Sequence, residues 1–182
     1  EGQQYDVDFE QQAQVSTDQY LKMIAYKTAV LVGAALQMGA IIAQTTEENK
    51  QKIYDFGLAL GIAYQLQDDY LDTFGDASFG KKIGGDILQN KKTLLYLKAL
   101  EKGTPEQKQE LLTLYSTEPK SEEEKIARVT ELFIATESHT FLRAQVEAYT
   151  LKAFAILDTL DVPEEKKNIL KEFGSSLMNR TI

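Results

Sequence analysis

The sequence predicts an all-α protein, and three observations carry that prediction. Apolar residues recur at three- and four-residue steps, as in Leu111, Leu112, Leu114 and Tyr115 and again in Ile126, Val129, Leu132 and Phe133. Helix-start signatures, a Ser, Thr or Asp followed three residues later by an acid or amide, mark five helix starts along the chain. No stretch alternates apolar and polar residues for long enough to make a strand.

Taken in order, the first predicted helix spans 17 to 44 and opens on Ser16-Thr-Asp-Gln19. It contains the apolar run Ala29 to Ala43, interrupted only by Gln37, which is shorter than the ~20 residues a membrane span needs. The run therefore reads as the central helix of a bundle, with Gly33, Ala34, Ala35, Gly39 and Ala40 letting a neighbour approach closely. A second helix, 47 to 74, opens on Thr45-Thr-Glu-Glu48 and passes from the apolar Phe56 to Tyr64 into Gln65-Leu-Gln-Asp-Asp-Tyr-Leu-Asp72. The periodicity places further helices at 92 to 102 and 140 to 159. Those at 105 to 116, 122 to 138 and 164 to 174 open on Thr104-Pro-Glu-Gln107, Ser121 to Glu124 and Asp161-Val-Pro-Glu164. The charge run Lys120 to Lys125 is a solvated helix start.

Composition narrows the chemistry. The chain has 182 residues, 20 Lys and Arg against 28 Asp and Glu, and a net charge of -8, which argues against a nucleic-acid or anionic-membrane partner. With 43% apolar and 26% charged residues it is expected to fold as one globular domain. There is no Cys and a single His, His139. Disulfides, thiolate metal sites, cysteine nucleophiles and multi-histidine centres are thereby excluded, and any metal must be a hard cation on oxygen ligands. The lack of Cys suits a reducing, cytoplasmic setting. The sequence begins at Glu1, so no leader can be read in it.

The acids concentrate in one segment. Asp68 and Asp72 lie four apart on one helical face, with Gln65 a turn before and Asp69 about 100° round the helix. Like charges at that spacing repel by about 0.2 to 0.5 kcal/mol in water, and by more beside buried turns unless a cation or proton compensates. Alone, the pattern fits either an exposed acidic helix end or a metal site. Downstream, glycines at 75, 80, 84 and 85 loosen the chain around Asp76 and Asp86, and Lys81, Lys82, Lys91 and Lys92 set positive charge beside the acids. A loop of this kind is either an ordinary surface loop or a wrap around a polyanion. Mg2+ binds through one or two carboxylates plus substrate phosphates, so acids and lysines together favour a phosphorylated ligand. Lys27-Thr28 sits within the first helix, where the lysine either snorkels to solvent or meets an anion. Thr28 is able to return its hydroxyl to a carbonyl one turn earlier and bend that helix.

Read together, Gly2-Gln-Gln-Tyr-Asp6, Lys27-Thr28, Tyr64 to Asp72, Gly80-Lys81-x-x-Gly84-x-Asp86 and Lys91 resemble the trans-type isoprenyl diphosphate synthases, or polyprenyl synthetases. The resemblance runs the length of the chain and is to the C-terminal half of that family. It implies a helical bundle of the isoprenoid synthase type, here lacking its N-terminal helices, with residues 1 to 182 as the C-terminal part of one domain. It implies a cytoplasmic homodimer that uses Mg2+ to condense an allylic diphosphate with isopentenyl diphosphate. It further implies that Asp68, Asp69, Asp72, Asp86 and Asp6 serve the metal, that Lys27, Lys81 and Lys91 grip the diphosphate, and that Thr28 and Gln65 turn oxygens toward the reacting carbons.

The family's first aspartate-rich motif, its arginine pair and its isopentenyl diphosphate site are absent from this sequence, so the chain as it stands is expected to hold half a metal site and to be inactive alone. Tyr64 replaces the family's usual Phe, and Arg180 is all that matches the basic tail. Two other readings stand beside the first. One is a non-catalytic or regulatory subunit of a heteromeric synthase. The other is a class I terpene synthase, disfavoured because such enzymes carry an Asn-Ser-Glu type motif where this chain has DDxxD.

Overall fold

A computed structural model describes residues 1–12, 14–76 and 82–178, and every regular element among them is helical. Helix α1 (Gly2–Gln11) leads to α2 (Thr17–Ile24), which continues through a π-turn (Ala25–Ala29) into α3 (Val30–Ile42). Then follow α4 (Glu47–Phe74), the single turn α5 (Gly85–Leu88), α6 (Leu94–Lys102), α7 (Pro105–Ser116), α8 (Glu122–Ala135), α9 (Ser138–Asp158) and α10 (Glu164–Met178).

The predicted helices all form. Two were not foreseen: α1, whose sequence GQQYDVDFEQ has no side-chain cap, and α5, too short to leave a periodic trace. The caps Ser16 and Thr104 each form reciprocal boxes with Gln19 and Gln107, and Ser121 accepts from the Glu124 N–H. Two caps differ from expectation. At α4 the cap is Thr46, while the Thr45 hydroxyl accepts from the Asn49 side chain. At α10 the Pro163 carbonyl accepts the first backbone bonds, and Asp161 is engaged elsewhere, its N–H and carbonyl both paired with the Asn49 amide.

The centre of the bundle is α4, not α3. Roughly 42 Å long at helical rise, α4 packs against α3 on one side and α9 on the other. Around its first half lie Phe56, Leu60, Ala153 and Leu157, and around its second half a larger core gathers Tyr20, Leu66, Leu95, Phe133 and Leu142. α3 meets α4 through Gly33 and Gly57, where a Cβ on Gly57 would lie 2.8 Å from the Gly33 Cα. Gly39 faces open space, and Leu31 (72% exposed), Met38, Ile41 and Ile42 (82%) point away from the core. The apolar run of α3 is therefore half core contact and half uncovered surface. The rod Thr17–Ile42 is also longer than the run that suggested it, and by length and composition alone it suffices to cross a bilayer; core helices pass the same test.

Candidate active site: carboxylates and lysines around one cavity

The larger core ends beneath a cavity of about 230 Å3, whose wall includes Asp6 of α1, Lys27 of the π-turn, Gln65 and Asp68 of α4, Asp86 of α5 and Lys91. Four separate segments thus deliver charged side chains to one place, each for a local reason.

α1 reaches the site because Gly2 has no side chain: a Cβ there would lie 2.2 Å from the Lys27 nitrogen. One turn along α1, Asp6 accepts from Lys27 Nζ at 2.5 Å. The end of α1 is held by Lys92, whose ammonium donates to the carbonyls of Phe9 (2.7 Å) and Gln12, a favourable place for a cation. Lys92 lines the cavity as well.

The π-turn widens the helix at Lys27-Thr28. Thr28 does not bond back to its own helix, as the sequence allowed; its hydroxyl donates to Gln65 Oε1 at 2.9 Å across the α4 interface. Gln65 Nε2 donates in turn to Asp69 Oδ1 at 2.9 Å.

The three aspartates of the DDxxD segment have different surroundings. Asp68 is half-buried on the cavity wall. Asp69 is buried, and its second oxygen accepts from the Tyr20 hydroxyl at 2.5 Å. Burial, then the neighbouring Asp86 charge, pushes the Asp69 carboxyl up to about 7 despite those two hydrogen bonds. Asp72 is turned toward the next segment: its side chain accepts from the Asp86 N–H (2.9 Å) and its carbonyl from the Gly84 N–H. Burial, with the Asp86 charge, raises it to about 6.

Asp86 and Lys91 form a closed turn, joined by a backbone bond from Lys91 to the Asp86 carbonyl and by Lys91 Nζ to Asp86 Oδ1 at 2.6 Å. Burial opposes the Lys91 charge, but the Asp86 carboxylate outweighs it and the ammonium's pKa is raised. Between them Asn90 takes a left-handed conformation (φ 55°), and its side-chain oxygen accepts from the buried Lys125 at 2.5 Å.

Lys27, Lys91, Gln65, Asp68, Asp69, Asp86 and Asp6 thus converge on the cavity, with Thr28 bonded to Gln65 and Asp72 bonded behind Asp86. Lys81 and Arg180 lie outside the described residues. Lys82 points away and pairs with Glu122. His139, given no role, bonds the Phe133 carbonyl through Nδ1 and packs on Phe74. The sequence reading missed Tyr20 as part of the site; Lys92 it set among the lysines beside the acids, without a role of its own. Tyr20 was within reach, because it precedes Lys27 by seven residues, two turns along the same face.

No three Asp, Glu or His side chains among the described residues stand close enough to cage a metal unaided. Mg2+ needs no such cage, since it takes one or two carboxylates and completes its shell with water and phosphate oxygens.

The all-α bundle, with carboxylates and lysines around one cavity, has the arrangement that the sequence resemblance implied. The sequence pattern of the family Polyprenyl synthetase matches residues 1–133. The chain belongs to the polyprenyl synthetase family. It is 34% identical over 173 residues, 94% of its length, to a geranylgeranyl diphosphate synthase of Saccharolobus solfataricus, of which it covers 51%. To a short chain isoprenyl diphosphate synthase of Methanothermobacter thermautotrophicus it is 36% identical over 134 residues, 73% of this chain and 40% of the other. Among solved structures, 98% of the chain superposes on 56% of a geranylgeranyl pyrophosphate synthase with a TM-score of 0.92 and 45% identity. A Corynebacterium glutamicum geranylgeranyl pyrophosphate synthase, complexed with isoprenyl diphosphate and magnesium, gives 0.88 at 30% identity, over 98% of this chain and 51% of that one. The chain spans about half the length of these relatives.

Proposed function

We propose that this chain carries the diphosphate-activating part of a prenyltransferase that condenses an allylic diphosphate with isopentenyl diphosphate. The observation that carries the reading is the convergence of Asp6, Lys27, Gln65, Asp68, Asp86 and Lys91, from four segments, on one cavity.

Breaking the carbon–oxygen bond of an allylic diphosphate needs the leaving charge neutralised and the carbocation kept from water. Lys27 and Lys91 are the cations for the leaving group, each prepositioned by an acid on its flank. Asp68 and Asp86, with Asp6 nearby, are the residues that would hold Mg2+ against the diphosphate, and Asp72 keeps the Asp86 turn in place through its backbone. When bound, Mg2+ supplies further charge neutralisation to the departing diphosphate. Gln65 and Thr28 put oxygen dipoles beside the reacting carbons, and the buried Ile24 and Met23 shield them from water. Lys81 joins the lysines by family resemblance.

The magnesium-bound relative supports Mg2+ as cofactor. The homodimer, the cytoplasmic setting and the inactivity of these 182 residues alone belong to the same proposal. The test is a steady-state assay of the protein that contains this chain, with allylic diphosphate, isopentenyl diphosphate and Mg2+. Product should elongate by one isoprene unit, and Asp68→Ala should lower kcat/KM by roughly a hundredfold or more. No condensation by the wild type, or full activity in the variant, would overturn the reading.

A further inference from the structure

Tyr20 is 1% exposed, lies in the larger core, and donates to Asp69 Oδ2 at 2.5 Å. Its phenol is pushed well above the ordinary tyrosine range, by burial and then by the Asp69 charge, so it stays a donor. Asp69 Oδ1 accepts from Gln65 Nε2, and Gln65 Oε1 accepts from Thr28. Three hydrogen bonds therefore run without a gap from the core on α2, through α4, to the π-turn beside Lys27.

The polarity of this chain is fixed by chemistry. With the Tyr20 hydroxyl on one oxygen and the Gln65 NH2 on the other, the Asp69 carboxyl accepts on both sides, and a glutamine amide offers a donor on one side and an acceptor on the other. Turned over, Gln65 would set its carbonyl oxygen against the Asp69 oxygen, acceptor on acceptor in a buried place. Held as it is, the NH2 faces Asp69 and the carbonyl oxygen faces Thr28 and the cavity wall. The difference matters for a cationic reaction, because the oxygen end of the dipole attracts positive carbon and the NH2 end repels it.

We infer that Tyr20 and Asp69 are positioning residues that fix the orientation of the Gln65 amide, and that Asp69, the second acid of the DDxxD segment, serves as this anchor rather than as a metal donor. Asp69 lines the cavity beside Asp68, but both of its oxygens already accept, one from Tyr20 of α2 and one from Gln65 of its own helix, while Asp72 faces the Asp86 turn. One motif thus divides three tasks among three acids.

The catalytic half of this inference rests on the prenyltransferase reading; the hydrogen-bond chain does not, and two measurements separate them. In side-chain amide NMR of the protein that contains this chain, Gln65, assigned through Gln65→Glu, should give a pair shifted away from those of exposed glutamines such as Gln12. Tyr20→Phe, which keeps the ring and hence the core, should move that pair toward the exposed position; an unmoved pair would overturn the inference whatever the activity. In the condensation assay, Tyr20→Phe should lower kcat roughly tenfold or more while leaving KM for the allylic diphosphate within about twofold. Placed in a Gln65→Ala background, Tyr20→Phe should add nothing further. Losses that multiply would mean that the Tyr20 hydroxyl acts independently of Gln65, and would overturn the inference. A wild type that condenses nothing would defeat the functional reading while the amide spectra still decide the hydrogen-bond chain.

Discussion

At the scale of residues, the site is a set of charges arranged so that each keeps a partner. Lys27 has Asp6, Lys91 has Asp86, Asp69 has Tyr20 and Gln65, and Asp72 has the Asp86 backbone. The two most buried acids still carry a cost, and it has a sign. Asp69 and Asp72 titrate near 7 and 6 in the folded chain against 3.8 ordinarily. Between about pH 4 and 7 the folded state then holds more protons than the unfolded, so this stability is fully present at low pH and is lost as pH rises through 6 and 7. Urea midpoints of the metal-free chain from pH 4.5 to 7.5, compared with Asp69→Asn, should show a fall in the wild type that the variant flattens. Identical slopes would contradict the burial account. Much of this scale was legible: spacing set Gln65, Asp68 and Asp72 on α4, and the family resemblance, not spacing, brought Lys27 and Lys91 to the same cavity. The division of labour among the three aspartates was not, because it depends on which helix crosses α4 at each acid. Helix α2 covers Asp69 and the α5 turn meets Asp72, and neither contact is local in sequence.

At the scale of elements, capping chemistry carried the helix starts, and its two misplacements share a cause. Asp161 and Thr45 both look like caps, but both turn to the buried Asn49, which ties the start of α4 to the loop before α10. A long-range hydrogen bond won over a local one. α1 escaped notice because its acids and amides show little apolar periodicity; it is held by its contact with the π-turn, closed by Gly2. Gly2→Ala must therefore push α1 outward and draw Asp6 from Lys27. The expected result is affinity for Mg2+-diphosphate lowered by about twofold to fivefold, the worth of a half-exposed ion pair, with little change in thermal midpoint because α1 lies at the edge of the core. Isothermal titration calorimetry and a melting curve check both halves; unchanged affinity would show that the close approach does not matter to the site.

At the scale of the whole molecule, the fold class followed from periodicity, but the order of the bundle did not. An apolar run of 15 residues reads as a central helix, yet α3 buries only its Gly33 side and leaves Leu31, Met38, Ile41 and Ile42 uncovered, while the more polar α4 takes the centre. Hydrophobicity reports what a surface prefers; which partner covers it is set by contacts beyond the helix. α4 is central because one end fits between α3 and α9 through small residues, and because its other end carries the site over the larger core. As proposed above, this site grips a diphosphate through lysines and a carboxylate-held divalent ion. Equilibrium binding of inorganic diphosphate, measured with Mg2+ and with chelator, to the wild type and to Lys27→Ala with Lys91→Ala, tests it most directly. The account predicts binding that requires Mg2+ and weakens by roughly a hundredfold when both lysines are removed, about tenfold for each charge-assisted contact. Binding that survives chelation and the loss of both lysines would contradict it.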